Sequence, residues 1–258
     1  MTDTPPPEAL RGLPSGYIPW CRTLRGDQAW RLEVPGGVQA LATWRALRER
    51  HPRTGLWPVV LGDVPDVVVD QLTWRVQILA DDRPGIARLS EVTPAPELFV
   101  RWLGDPADDE YLSDVPRHLA KLQADEVAIR DRLDTRPDDA ALRCLQGANV
   151  HLALVPAAGG WEVPGLLAWS GAEKEGHTGA EHLAVLHYWR EAYGAELIGL
   201  GLESLELLVE RPPTDARGAF ELAMQHYAYC PELMDNLAPA IGALAATLLG
   251  RHWYLDWK

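Results

Sequence analysis

The sequence predicts a mixed α/β or α+β protein of two mixed domains, the C-terminal one a sheet covered by helices. Three observations carry this. A capping box at Thr178 opens a helical stretch that runs through a glycine into two apolar, partly alternating segments, AELIGLGL and ESLELLVE. The chain closes on HWYLDW, where Trp253, Leu255 and Trp257 alternate with His252, Tyr254 and Asp256, the period of a half-buried strand. Between Gly104 and Gly147 the sequence turns highly charged and separates two apolar stretches.

Taken in order, residues 1–15 are rich in proline and polar side chains and read as a flexible tail. An N-terminal α/β domain is expected over 16–103. In it GYIPWCRTL and QAWRLEVPGG form strands, broken at Pro35-Gly36-Gly37. Val38 to His51 reads as a helix with Leu41, Ala42, Trp44 and Leu47 on its buried side. LWPVVLG reads as a short, central apolar strand, with Pro58 expected at its start or at an edge because proline donates nothing to a ladder. VPDVVVDQLTWRVQIL has no period that decides between strand and helix. A charged helical connector spans 104–148, broken near Pro116 and Pro137, and a second domain covers 149–258.

That second domain begins with the strand VHLALVPA and a turn at Gly159-Gly160. Thr178 and Glu181 cap the central helix, and His182, Val185, Leu186, Trp189, Ala192 and Tyr193 form its stripe. Gly194 ends that helix, and Gly201 to Ser204 turn the hairpin that follows. Pro212-Pro213 stops the hairpin, and Thr214 or Asp215 caps a helix with Phe220, Ala223, Met224 and Tyr227 on its apolar side. A last helix, Ala240 to Leu249, precedes the closing strand. A fainter echo links EVPGG, Trp44-Arg45 and TGLWPVVLG to EVPGL, Trp189-Arg190 and GAELIGLG, the pattern of a duplication.

The chain carries 24 basic against 37 acidic residues, a net charge of −13, which argues against nucleic acid, whose binding rests on neutralising phosphates. No apolar run approaches the roughly 20 residues that span a bilayer. MTDTPPPEALRG lacks the basic and apolar regions of a signal peptide, so a cytoplasmic protein without a membrane partner is expected. Three well-separated cysteines, Cys21, Cys144 and Cys230, fit reduced thiols.

The blocks WEVPGLLAWSGAE, HYWREAYGAELIGL, LELLVERPP, HYAYCPELMDN and WYLDW resemble the bacterial domain-of-unknown-function 4253 family over about the last hundred residues. WRALRERHPRTGLWPVVLG is similar to the N-terminal part of longer members. The resemblance implies a boundary near residue 149 and carries no assigned reaction.

The residues themselves offer few chemical constellations. His177, Glu181 and His182 stand as HTGAEH, one residue longer than the H-x-x-E-H of inverted zinc enzymes; His177 and His182 are thus the nearest candidates for a metal, and none is expected. Cys230 precedes Pro231, a residue suited to the first position of a short helix. A thiol at such an N-terminus has a lowered pKa, with His226 four residues back as its base and Glu232 as a nearby acid. The bland reading of Cys230 is a small buried hydrophobe. Glu206 and Glu210 share a face of a regular strand, where two carboxylates perform acid–base work, and Glu196 lies close by. Trp253, Tyr254 and Trp257 suit either a core or a partner surface. With no P-loop, G-x-S-x-G elbow, CxxC pair or G-x-G-x-x-G spacing, no cofactor is expected.

Two functions follow as expectations. The first is an acidic cytoplasmic protein-binding protein without catalysis, of immunity or inhibitor type, whose surface steers a basic protein partner and uses Trp253, Tyr254, Trp257, Glu196 and Glu206. The alternative is a thiol- or carboxylate-dependent hydrolase with its cleft near Cys230 and His226.

Overall fold

A computed structural model describes residues 16–62, 89–104, 112, 115–133, 142–238 and 240–258. The expected tail over 1–15, the undecided stretch over 64–79 and the break at Pro137 lie outside the described residues. The N-terminal strands are β1 (Ile18–Arg22) and β2 (Gln28–Pro35), an antiparallel pair. Helix α1 (Val38–Thr54) follows and stops at Gly55, which takes the left-handed conformation at φ 66° that glycine adopts without steric cost. β3 (Leu56–Val60) comes next. Two helices, α2 (Ala95–Leu103) and α3 (Val115–Leu133), precede β4 (Asn149–Pro156). Pro116 opens α3 rather than breaking a helix, since proline's missing N–H costs nothing in a first turn.

The C-terminal part holds α4 (Val163–Leu166), α5 (Gly179–Tyr193), β5 (Ala195–Leu200), β6 (Ser204–Val209), α6 (Ala216–Tyr229), α7 (Leu233–Asn236), α8 (Ile241–Leu248) and β7 (His252–Asp256). The caps form as the sequence predicts. Thr178 accepts from the Glu181 amide while Glu181 accepts from the Thr178 amide, Asp215 caps α6, and Gly194 ends α5 at φ 64°. The hairpin β5–β6 carries a bulge between Leu197 and Gly199.

All seven strands form one sheet in the order β1-β2-β4-β3-β5-β6-β7, with β3 and β5 parallel and every other pair antiparallel. The fold class is therefore mixed α/β. The boundary expected near residue 149 falls inside this sheet: β4 inserts between β2 and β3, and β5 reaches β4 only across β3. Pro58 lies within β3, between β4 and β5, rather than at a start or an edge. The fold tolerates it because the β3–β5 pairing is registered at Val60 and Gly199, and the Pro58 carbonyl accepts the Trp44 indole N–H at 2.9 Å. The Trp57 indole N–H then reaches the Leu197 carbonyl at 3.0 Å, linking β3 and β5 before the ladder begins. The echo between the halves breaks at EVPG: the first copy ends β2, whereas the second is helical.

One face of the sheet carries Leu205, Leu207 and Val209 of β6 with Trp253 and Leu255 of β7, all buried. Against it pack α5, α6 and α8, and α2 and α3 contact those helices in turn. Trp189 is fully buried at the centre of this layer. Its ring stacks on His226 at 4.2 Å and meets the edge of Trp253 at 6.1 Å, so the α5 stripe, α6 and β7 close on one another there. Strand alternation turns Glu206, Leu208, His252 and Tyr254 to the opposite face. On that side lie Trp44 and Arg48 of α1 and the short helical turn Arg143–Leu145.

Candidate functional site

The sheet sorts the sequence-predicted residues into two sets. Trp253, Trp257, His182, His226 and Cys230 lie in the helix-covered core, and Glu196, Glu206 and Tyr254 belong to the other side. Trp253 and Trp257 are at most 1% exposed, so they present no partner surface.

Cys230 follows α6 directly and is fully buried. Its amide bonds back to the His226 carbonyl at 2.8 Å, and its thiol donates to the Asp256 carbonyl at 3.3 Å. Pro231 and Glu232 lie between it and α7, so the expected placement at the N-terminus of a short helix is corrected to the C-terminal end of a longer one. A helix C-terminus is the negative end of its dipole and opposes a thiolate. Burial pushes the Cys230 thiol well above its ordinary value, the reverse of activation.

The His226 ring is engaged with other groups. It stacks on Trp189, and its Nδ1 donates to the Leu222 carbonyl at 3.1 Å. Full burial lowers its pKa to about 3. A base–nucleophile pair therefore does not form in the way the sequence suggests. Glu232 is half-buried, and burial, with Glu175 beside it, raises its carboxyl above the usual range.

His177 and His182 do come together, with rings 5.9 Å apart and nearly perpendicular. Tyr229 engages both: its carbonyl meets His177 Nε2 at 2.8 Å and its hydroxyl meets His182 Nδ1. Burial lowers both pKa values, that of His182 to about 3. Among the described residues no group of three or more His, Cys, Asp or Glu side chains is arranged to hold a metal ion. Glu181, besides capping α5, pairs with Arg101 of α2 and so ties two helices of the layer together.

The opposite side of the sheet is organised around carboxylates. Glu206 is 3% exposed and fully engaged: it accepts from the amides of Arg143 (2.9 Å) and Cys144 and from His252 Nε2 at 2.8 Å. A buried carboxyl group needs such partners, because burying it unpaired is costly. Arg143 in turn lays its guanidinium over the Tyr254 ring at 4.0 Å. Glu210, expected beside Glu206, lies past the end of β6, is exposed and pairs with Arg211, so the two carboxylates do not form an acid–base pair.

Next to this network an open groove of about 530 Å³ runs between α1 and the sheet, lined by Trp44 and Arg45, by Glu196, Leu208 and Glu210, and by Arg251. Glu196 is clamped there by Arg48, whose Nε donates at 3.0 Å, and by Arg190 at 3.5 Å. His252 faces Leu208 directly across the β6–β7 ladder, which places the Glu206–His252 pair beside the groove. Sequence reasoning found Glu196, Glu206 and Tyr254 and missed Arg45, Arg143, Arg251 and His252. Only His252 left a signal, its place opposite the core residues in the alternation of HWYLD. The arginines are indistinguishable in sequence from any solvated charge.

The comparisons bear on the same segment. Residues 151–258 match the model of a family described as a domain of unknown function (DUF4253). No curated protein and no solved structure matches the chain. The matched segment supplies β5, β6, β7 and nearly all of β4, while α1, which walls the groove with Trp44 and Arg45, lies outside it. No helix among the described residues is long and apolar enough to cross a membrane.

Proposed function

We propose that this is a cytoplasmic protein-binding protein without catalysis and that the groove between α1 and the sheet is where it engages its partner. The observation that carries the reading is the groove itself. It opens to about 530 Å³, and its charged rim is tied together where Arg48 and Arg190 both hold Glu196. Charged side chains already held in ion pairs lose less freedom on association than free ones, which favours recognition. The buried, proton-retaining thiol of Cys230 gives the competing thiol-hydrolase reading no nucleophile at neutral pH. A pull-down from cell extract at low salt should recover one protein partner, with retention falling as salt rises. In parallel, alkylation of native Cys230 should be slow at neutral pH and accelerate only on unfolding. Absent or salt-insensitive capture together with a fast-reacting Cys230 would sink the reading.

A further inference from the structure

We infer that the groove takes a short acidic segment of a protein partner, a carboxylate side chain flanked by an apolar one. This rests on the binding-protein reading and names the chemistry of the partner at this groove, which is acidic although the net charge of −13 by itself suggests a basic one. Five guanidinium groups gather at the groove: Arg45 and Arg251 line it, Arg48 and Arg190 hold Glu196, and Arg211 holds Glu210. The lining itself is balanced, Arg45 and Arg251 against Glu196 and Glu210, but both carboxylates are already paired, so the uncommitted charge at the groove is that of the two cations.

Those charges are not equally committed. Arg48 and Arg190 are spent on Glu196, and Arg211 on Glu210 and the Glu191 carbonyl. Arg251 is exposed and uses Nη1 on the Glu210 carbonyl at 2.6 Å, which leaves further guanidinium N–H groups free of that bond. Arg45 is exposed and makes no ion pair among the described residues. Arg45 and Arg251 therefore stand beside Leu208, the half-buried apolar side chain on this face, with donors to offer. The planar fork of a guanidinium matches a carboxylate bidentately, the strongest neutral-pH pairing that protein side chains make.

Length decides between a peptide and a polyanion. Screening extends only about 8–10 Å at physiological salt. A nucleic acid or an anionic bilayer needs many cations to offset its phosphates, and this chain carries 24 basic against 37 acidic residues. A segment of three or four residues stays within the groove and meets its two uncommitted cations.

The test is a nuclear magnetic resonance titration of the whole chain with acetyl-Glu-Leu-Glu-amide and with its uncharged counterpart acetyl-Gln-Leu-Gln-amide, each at millimolar concentration. The acidic peptide should shift the Arg45, Leu208 and Arg251 signals and bind about tenfold more tightly than the amide form, the value of one charge-assisted hydrogen bond. Arg45→Glu, at an exposed position where folding is unaffected, should abolish the difference, and Glu210→Lys should strengthen binding of the acidic peptide. Equal binding of the two peptides, or shifts confined to other residues, would overturn the inference. A partner recovered by pull-down whose capture is indifferent to Arg45→Glu would leave the binding-protein reading standing and remove this one.

Discussion

Lowering the pH from 7 to 5 should cost this fold about 4 kcal/mol, because two buried imidazoles refuse protons that the unfolded chain accepts. His182 and His226 are fully buried, and each holds a folded pKa of about 3, with burial as the leading cause. In the unfolded chain an imidazole titrates near ~6.5. Both folded values lie below the unfolded one, so above that pH both states are neutral and no penalty exists. As pH falls through 6.5 the unfolded chain gains protons and the folded chain does not, and stability drops by about 1.4 kcal/mol per pH unit per histidine until the folded values near 3 are reached. At pH 5 that amounts to about 2 kcal/mol for each ring, a large share of the roughly 5–15 kcal/mol that holds an ordinary domain. His177, whose pKa burial also lowers, adds to the same trend. The assay is urea denaturation followed at several pH values by the fluorescence of the eleven tryptophans, among them Trp189, which stacks on His226. Replacing the ring by an apolar one, His226→Phe, keeps the stack and should remove about one proton from the slope. An unfolding free energy that is flat between pH 7 and 5, or a His226→Phe slope equal to that of the natural protein, would refute the reasoning.

Two further outcomes are expected. A Cβ at Gly199 would come within 2.8 Å of Cys144 and 3.1 Å of the Glu206 side chain, so Gly199→Ala should overpack the Glu206 network and lower stability by about 1–3 kcal/mol in thermal denaturation. An isolated fragment of residues 149–258 should lack a cooperative unfolding transition, because β4 would lose both of its neighbours and β5 its link to β4; a sharp transition for that fragment by circular dichroism would count against the shared sheet.

The candidate chemistry was legible only in part, and particular residues show why. Thr178 and Glu181 form their box within four residues, so a local pattern contains all the partners that satisfy the cap. Trp253 and Leu255 alternate with His252 and Tyr254, and the pleat of a strand turns that period into two faces, one buried and one lining the polar side. Cys230 is the opposite case. Pro231 permits a helix start, and the Cys230 carbonyl does accept from the Leu233 amide, but the Cys230 amide is taken by the His226 carbonyl, so the residue closes α6 before the next turn opens. Glu206 finds its donors in the amides of Arg143 and Cys144, more than sixty positions away, and no spacing in the chain announces them.

What the chain determined unaided was its local inventory: the capped helix over 179–193, the hairpin after Gly194, the helix behind Asp215 and the closing strand, each fixed by hydrogen bonds and hydrophobic periods a few residues long. What only the tertiary structure decided was the order of the strands, with β4 between β2 and β3, and with it the gathering of Arg45, Glu196 and Arg251 around one groove. A strand's own pattern says which side is buried but not which neighbour it pairs with. That choice is made by side chains meeting across the whole sheet, where sequence separation leaves no trace in the period.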